Sequence, residues 1–303
     1  NKMPVVSDIG IFGEKRFYRP MGGKMRRLLP VETHRGCPYT CSFCNSPSQN
    51  TLYGGGLAYF RRKSINLVKQ EIENHIKEWK VEYIYFWADT FLAWSNSEFD
   101  EFCEMYSDIR LPFWMQTRPE TISDEKIRKL AEVGLHRISF GIEHGNEEFR
   151  KKELDRRWKN ADIVEALTIP HRYDVQFSLN NITGFPGETR ELAMDTVELN
   201  RQIDGDNANI YSFVPFHGTP LRKLCEDQGL VKHDTIARAL TDKPMLEMPQ
   251  YPVDEIEGLK KCFILYVKFP KSRWAEIRQS EKNTPEGNKL FSRLKAEFME
   301  TYF

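Results

Sequence analysis

The sequence lacks an excess of charge of either sign, since its 303 residues contain 44 Lys and Arg and 44 Asp and Glu. A balanced chain has no global electrostatic attraction to nucleic acid or to an anionic membrane surface. It also lacks an apolar run long enough to span a bilayer and a recognisable signal peptide. These absences argue against membrane and nucleic-acid partners, and they favour a cytoplasmic location.

Cysteine is scarce as well, because the chain has six and three of them fall within one short stretch. The other three are scattered and are expected to be ordinary buried thiols: Cys103, Cys225 and Cys262. This usage excludes a disulfide scaffold and a second cysteine cluster, and it suits a reducing compartment. The length allows one large domain or two ordinary ones.

The short stretch is the feature around which the chain is organised. Its cysteines are Cys37, Cys41 and Cys44. Gly36 and Pro38 disfavour helix and strand there, so we expect a loop. Cysteine thiolates at such close spacing hold iron–sulfur clusters. A structural zinc site with His34 as fourth ligand is the alternative, although such sites usually join two ligand pairs about a dozen residues apart. A disulfide would leave an odd thiol.

Apolar, strand-like segments alternate with amphipathic helical segments along the chain. The predicted strands are 29–33, 81–87, 113–117, 137–142, 175–183 and 209–215, and the predicted helices are 64–79, 97–108, 123–134, 161–169 and 189–203. This alternation predicts an α/β fold with a parallel sheet and outer helices. Six units fall short of the eight of a closed barrel. We therefore expect a partial (β/α)6 TIM-like barrel.

Three regions follow from this pattern. Residues 1–30 are predicted to be an irregular lead-in, because Gly and Pro punctuate them. Residues 31–221 form the predicted barrel, and residues 222–303 a helical extension with a helix over 253–268. In parallel α/β folds, ligands bind at the carboxyl ends of the strands. The cysteine loop follows the first strand and lies at that end.

Polar residues also stand at the ends of the later strands, where each is a candidate ligand contact but could also have a purely structural role. Asp89 ends the second strand, and its structural role would be to cap the next helix. Gln116 and Arg118 end the third strand, and Arg118 could simply pair with Glu120. Two neighbouring asparagines in the fifth strand need partners if they are buried: Asn180 and Asn181.

Taken together, three motifs resemble those of the radical S-adenosylmethionine (SAM) superfamily. They are the cysteine loop with Tyr39 and Phe43, the segment Gly141-Ile142-Glu143-His144-Gly145, and the turn Gly184-Phe185-Pro186-Gly187-Glu188-Thr189. The matches extend over residues 31–221. The resemblance implies a [4Fe–4S] cluster on the three cysteines, with one iron open to SAM. Reductive cleavage of SAM would then give a 5′-deoxyadenosyl radical that abstracts hydrogen from a substrate.

The resemblance also implies roles for individual residues. The implied SAM contacts are Tyr39, Phe43, Asp89, Glu143, Arg156, Asn180 and Ile182, with Arg157 as a neighbour of Arg156. The implied substrate contacts are Gln116, Arg118, His144, Asn181 and His217. The sequence departs from the family pattern where His144 replaces Ser, Asp155 replaces Asn and His217 replaces Pro. No residue is identified as a general base.

Within the superfamily, the strand ends and the helical tail most resemble the cobalamin-dependent class, which often methylates unreactive carbons. That class carries a cobalamin-binding domain upstream, and this chain begins where such a domain would end. The expected cofactors are therefore the cluster, SAM and, in that class, cobalamin. The expected partners are a small-molecule or peptide substrate and a flavodoxin or ferredoxin. The alternatives are a cobalamin-free rearrangement, cyclisation or methylthiotransfer enzyme, or a non-catalytic metal-binding protein.

Overall fold

The computed structural model describes residues 13–302, and no helix among them is long and apolar enough to cross a membrane. The strands are β1 (Tyr18–Met21), β2 (Lys24–Glu32), β3 (His34–Arg35), β4 (Arg61–Arg62), β5 (Tyr83–Trp87), β6 (Phe113–Thr117), β7 (Leu135–Glu143), β8 (Gln176–Thr183) and β9 (Asn207–Ser212). The α-helices are α1 (Asn45–Leu52), α2 (Ile65–Trp79), α3 (Asn96–Ser107), α4 (Asp124–Val133), α5 (Glu147–Glu153), α6 (Asn160–Ala166), α7 (Arg190–Gln202), α8 (Pro220–Asp227), α9 (Val253–Lys268), α10 (Trp274–Ser280) and α11 (Pro285–Tyr302). Short 3-10 turns lie between them.

The main sheet has seven strands in the order β1-β2-β5-β6-β7-β8-β9. Strand β1 is antiparallel to β2, whereas the pairs β2–β5, β5–β6, β6–β7 and β8–β9 are parallel. Strands β3 and β4 form a separate antiparallel pair. Six of the seven strands, β2 and β5 to β9, correspond to the six predicted strands. The predicted fold class, a partial barrel with parallel strands and a helical C-terminal extension, is confirmed.

Several helix boundaries are the ones that the sequence predicts. Ser64 and Ser123 cap α2 and α4, since each hydroxyl accepts a hydrogen bond from a backbone N–H three residues on. Gly134 ends α4 with φ at 116°, a conformation that glycine adopts without steric cost. Thr189 caps α7 in the same way as the two serines.

The predicted irregular lead-in is wrong where the chain is described. Residues 18–27 form a β-hairpin in which Tyr18 pairs with Arg27 and Met21 with Lys24. Gly22 and Gly23 make its turn with φ of 58° and 72°. Two consecutive positive φ values are typical of a tight two-residue hairpin, so the glycines mark a turn between strands. The first predicted strand therefore begins at Lys24. The part of the prediction on residues 1–12 lies outside the described residues.

The chain divides into two compact units, and the predicted domain limits at residues 30 and 221 stay a prediction. Among the described residues, the first unit contains 13–39, 49–140 and 166–177. Aromatic rings fill its core with centroids 5.1–6.4 Å apart, and they are Phe86, Phe102, Tyr106 and Phe113. Such edge-to-face and stacked rings add to the energy of apolar burial.

Among the described residues, the second unit contains 40–48, 141–165 and 178–302. Within it, helix α9 packs against β9 and α7, as expected of a helix covering the last strand. The Arg201 guanidinium in α7 donates to the carbonyl oxygens of Tyr266, Val267 and Phe269 at 2.6–2.9 Å. These carbonyls end α9, where unpaired oxygens favour a cation.

A pair of asparagines joins strand β8 to helix α7. The Asn181 amide donates to the Asn200 side-chain oxygen at 3.0 Å and to the Asn209 carbonyl at 3.0 Å, and Asn200 donates back at 2.9 Å. Asn181 is fully buried. Its amide is thus bonded to protein groups inside the core, which contradicts the prediction that Asn181 contacts a substrate.

We predict that Asn200→Ala lowers the free energy of unfolding by about 2–3 kcal/mol, because the buried Asn181 amide loses its partner. Chemical denaturation of the purified chain measures this change. Gln202→Ala is the control, since Gln202 lies exposed on the same helix and its loss should cost less than about 0.5 kcal/mol. Equal effects of the two substitutions would contradict the assignment.

Candidate functional site

The cysteine loop carries three thiols, and none of them forms a disulfide. Cys37 and Cys41 are buried, and Cys44 is half-buried. The Cys44 N–H donates to the Cys41 carbonyl at 3.2 Å, which closes a turn just before α1. Gly36 enters the loop at φ 86°, and a Cβ there would lie 2.8 Å from the Tyr59 carbonyl oxygen. Glycine is therefore required at this position.

The first cysteine is fixed within the first unit. Its Sγ lies 3.3 Å from the Thr90 hydroxyl, and its carbonyl accepts from the Asn50 amide at 3.3 Å. The same Asn50 accepts the Tyr59 N–H at 3.0 Å. Burial raises the pKa of the Cys37 thiol. A raised pKa disfavours the thiolate, so binding of a metal at Cys37 would have to displace the thiol proton.

His34 anchors the same segment through both ring nitrogens. Nε2–H donates to the Thr90 carbonyl at 2.9 Å, and Nδ1 accepts from the Trp94 indole N–H at 2.8 Å. Burial lowers the pKa of His34 to about 4, so the ring is neutral at physiological pH. Because both nitrogens are engaged, this structure does not support His34 as the fourth ligand of a zinc site.

The later part of the loop is fixed within the second unit. The Thr40 hydroxyl donates to the Asp155 carboxylate at 2.5 Å, and the Ser42 N–H donates to the Leu154 carbonyl at 3.3 Å. The Ser42 carbonyl accepts the Leu221 N–H at 3.2 Å, just after the sixth predicted strand. The loop is thereby bound to the end of α5 and the start of α8.

The donor set fits an iron–sulfur cluster in its chemistry. Thiolates are soft ligands that suit such clusters, and none of the three is consumed by a disulfide. Among residues 13–302 no group of three or more His, Cys, Asp or Glu side chains is arranged to hold a single metal ion. A cluster binds each thiolate through a different iron, so the cysteines need not converge on one point.

Three of the predicted residues of the first unit lie around the ends of β5 and β6. Asp89 is exposed after β5, and Ser95 rather than Asp89 caps α3. The Arg118 guanidinium lies 3.7 Å from the centre of the Tyr39 ring and pairs with Glu120, Nε to Oε1 2.6 Å. The structural alternative for Arg118, an ion pair with Glu120, is thus present together with a cation–π contact to the cysteine loop.

Gln116 is half-buried and bonded on both sides of its amide. It accepts from the Tyr85 hydroxyl at 3.0 Å and donates to the Ala88 carbonyl at 3.1 Å. The second bond links the end of β6 to the residue before Asp89.

The second unit brings two of the predicted cofactor contacts together. Arg156 donates to the Glu143 carboxylate at 2.7 Å and to the Gly141 carbonyl at 2.8 Å. Glu143 adopts φ 69°, an uncommon left-handed conformation that is found enriched at functional sites. A Cβ on Gly141 would lie 2.4 Å from the Glu143 carboxylate, so the glycine makes room for it. Arg157 is exposed and pairs with Asp155 instead.

His144 lies in the interior and not at a surface open to substrate. It is fully buried, donates from Nε2 to Glu188 at 3.1 Å and accepts the Asn146 N–H at Nδ1. Glu188 also accepts the N–H groups of Gly184 and Phe185 at 2.5 and 2.9 Å. The prediction that His144 contacts a substrate is therefore not supported, and Glu188 binds its own turn instead of capping α7.

The second flanking glycine has a packing reason. A Cβ on Gly145 would lie 2.1 Å from the Asp195 carbonyl oxygen, and the Gly145 N–H donates to the Thr196 hydroxyl at 2.9 Å. Both glycines therefore leave room for a neighbouring group, the Glu143 carboxylate at Gly141 and the Asp195 backbone at Gly145.

The remaining predicted residues of the second unit are partly accessible. Phe43 meets Phe185 edge-to-face, with centroids 6.0 Å apart. Asn180 is half-buried and accepts from Asn209 at 3.2 Å, and Ile182 is half-buried as well. His217 is exposed, and the next residue, Gly218, accepts from Ser48 at 2.6 Å. The His217 loop thus reaches the residues that follow the cysteines.

Sequence reasoning missed the residues that position the loop. Thr90 contacts Cys37 and His34, Asn50 binds Cys37, and Asp155 binds Thr40. Two signals were present: Thr90 directly follows Asp89 at a strand end, and Asp155 departs from the family pattern. The sequence around Asn50 did not indicate a role, because its contact with the Cys37 carbonyl forms only in the folded structure.

We predict that His34 makes the fold sensitive to acid. The unfolded His34 takes up a proton near pH 6.5 and the folded one only near pH 4, so stability falls as pH drops through this window. The loss attributable to His34 should approach about 3 kcal/mol below pH 4. Denaturation at a series of pH values measures it, and NMR titration of the ring gives the pKa directly.

The control for this prediction is His233→Gln, because His233 is exposed. His34→Gln should flatten the acid dependence, whereas the control should leave it unchanged. A His34 pKa near 6.5 in the folded protein would show that the ring is not held neutral.

Comparison with known proteins identifies related sequences. A sequence profile of the radical SAM superfamily matches residues 31–199. An uncharacterised methyltransferase of Pyrococcus horikoshii is 25% identical over 246 residues, which is 80% of this chain and 51% of that protein. An anaerobic magnesium-protoporphyrin IX monomethyl ester cyclase of Cereibacter sphaeroides is 28% identical over 228 residues, 73% of this chain and 35% of that protein. The chain spans about half or less of these relatives.

Solved structures show the same fold. The radical SAM methyltransferase TsrM from Kitasatospora setae, with cobalamin and a [4Fe–4S] cluster bound, superposes with a TM-score of 0.63 at 12% identity. The match covers 90% of this chain and 62% of that one. Since the superfamily profile covers more than half of the 303 residues, the chain belongs to the radical SAM superfamily.

Proposed function

We propose that Cys37, Cys41 and Cys44 hold a [4Fe–4S] cluster and that the protein is a radical SAM enzyme acting on an organic substrate. The supporting observation is that three thiols lie in a loop fixed by Thr90, Asn50 and the end of α5. When bound, the cluster and SAM supply a 5′-deoxyadenosyl radical by one-electron reduction, and this radical abstracts a substrate hydrogen.

The chain's own residues are proposed to bind and orient SAM. Glu143 and Arg156 are candidates for its polar groups, because they meet at a strand end and a strained backbone presents the carboxylate. Asp89 is a candidate from the end of β5. Asn180 and Ile182 of β8 are further candidates for SAM contacts. Tyr39 and Phe43 of the cysteine loop are candidates as well.

The substrate candidates reduce to three after the structure is considered. Gln116, Arg118 and His217 remain, whereas Asn181 and His144 are enclosed by their own partners. Hydrogen bonds to Ala88 and Glu120 hold the side chains of Gln116 and Arg118 in fixed orientations, in which each would contact the substrate. Fixed polar groups discriminate substrates better than mobile ones.

We propose methyl transfer with cobalamin as the reaction class. Two observations support it: one relative is described as a methyltransferase, and the similar TsrM structure contains cobalamin. Cyclisation is the second candidate, since another relative is described as a cyclase. The reaction also needs an electron donor, for which a flavodoxin or ferredoxin is proposed. The six cysteines form no disulfide, which suits a reducing compartment such as the cytoplasm.

We predict that replacing Cys37, Cys41 and Cys44 together by Ala abolishes iron binding and reductive SAM cleavage. The measurement is methionine and 5′-deoxyadenosine formed anaerobically with dithionite, together with iron and sulfide content. Cys103→Ala is the matched control, because Cys103 is a buried thiol of α3 outside the loop. It should retain iron and activity. Cleavage retained by the triple variant would refute the site.

A further inference from the structure

A cavity lies along the edge of strand β2 in the first unit. Pairing with β1 stops at Arg27, so residues 28–32 of β2 are not covered by that strand. The cavity there has a volume of about 580 Å³, within the range of small-molecule sites. Arg16, Phe17 and Arg19 contribute to its wall, and Trp87 lines it at the carboxyl end of β5.

The charged groups of the cavity leave an excess of positive charge. Glu32 is neutralised by two bonds to Arg35 at 2.9 and 2.8 Å, and Glu71 by Lys63 at 2.6 Å. Among the side chains that the structure describes, which do not include that of Glu14, no acidic residue forms an ion pair with Arg16 or Arg19. Both arginines line the cavity, and Arg19 also donates to the Tyr18 carbonyl at 3.1 Å. Guanidinium groups are suited to binding an anionic group.

Trp87 gives the cavity an aromatic surface that is held in place. Its side chain is 51% exposed, and its ring meets Tyr85 edge-to-face with centroids 5.7 Å apart. Tyr85 in turn stacks on Trp114 at 4.3 Å, and Trp114 donates to Ser139 at 2.9 Å. A large aromatic ring fixed by its neighbours but open on one side is suited to stacking against a ligand.

The opposite face of the same strands is closed. Paired residues of parallel strands share a face, and β5 and β6 place Phe86 beside Met115, both fully buried. Tyr85 and Trp114 are paired on the other face and are half-buried. Trp87 follows Tyr85 by two residues, so it lies on this less covered face.

From these observations we propose that the cavity beside Trp87 binds an amphipathic organic anion, namely a carboxylate with a flat aromatic body. The carboxylate would meet Arg16 and Arg19, and the ring would stack on Trp87. The cavity contains none of the residues proposed above to contact SAM or the substrate, so it is a second binding site. The apolar wall formed by Phe17, Leu28 and Pro30 excludes water from the ring.

The test is equilibrium dialysis of the reconstituted protein against 2-naphthoate and, separately, against the neutral 2-naphthamide. We expect one saturable naphthoate site per chain. Arg16→Gln with Arg19→Gln should weaken naphthoate binding about tenfold and leave the amide unchanged. Trp87→Leu should weaken both about fivefold. Lys24→Gln is the matched control, because it removes a cation from the same hairpin but outside the cavity.

Equal binding of acid and amide, absence of a saturable site, or an equal effect of Lys24→Gln would overturn the proposal. SAM cleavage without substrate is measured on the same preparations. Intact cleavage with no naphthoate site would refute the cavity alone. A naphthoate site in a protein that cannot cleave SAM would refute the proposed function and leave the binding site standing.

Discussion

The candidate site depends on the hydrogen bonds that fix the cysteine loop at both of its ends. On one side, Thr90 contacts Cys37 through its hydroxyl and His34 through its carbonyl. On the other, Thr40 and Ser42 bind the end of α5. Ordering a loop costs conformational entropy of about 1–2 kcal/mol per residue. Because folding has already ordered this loop, binding of a cluster would cause no further loss of its conformational entropy.

Glycine and a strained glutamate set the geometry of the neighbouring strand end. Glu143 adopts a left-handed backbone, Gly141 leaves room for its carboxylate, and Arg156 holds that carboxylate by a direct ion pair. Gly145 then lets the chain touch α7. The buried pair of His144 and Glu188 ties this segment to the turn after β8. Substitution of Gly141 or Arg156 would disturb the placement of Glu143 directly.

Much of the fold could be predicted from the sequence, because local signals and tertiary structure agree there. Ser123 and Gly134 mark both ends of α4, and the apolar run at Phe113–Thr117 is β6. The sequence does not predict the hairpin of β1 and β2, because Gly22 and Gly23 are equally compatible with an irregular chain. A two-residue turn and a flexible connector use the same residues and differ only in their strand pairing.

Part of the candidate site could also be predicted from the sequence, namely the part that depends on local patterns. The cysteines and Glu143 follow from motif spacing, which is a local property. The enclosure of Asn181 and His144 depends on Asn200 and Glu188, which are 19 and 44 residues away. A sequence pattern can indicate that a polar side chain points inward. It does not show whether that side chain bonds to other core residues or to a ligand.

We propose that Cys37, Cys41 and Cys44 hold a [4Fe–4S] cluster with one iron left open to SAM. The electron paramagnetic resonance spectrum of the dithionite-reduced, reconstituted protein, recorded before and after addition of SAM, tests this site. We expect a [4Fe–4S]⁺ signal whose g-values shift when SAM binds the open iron. A protein that binds zinc in equal proportion to chain and gives no such signal, or a signal that SAM leaves unchanged, would contradict it.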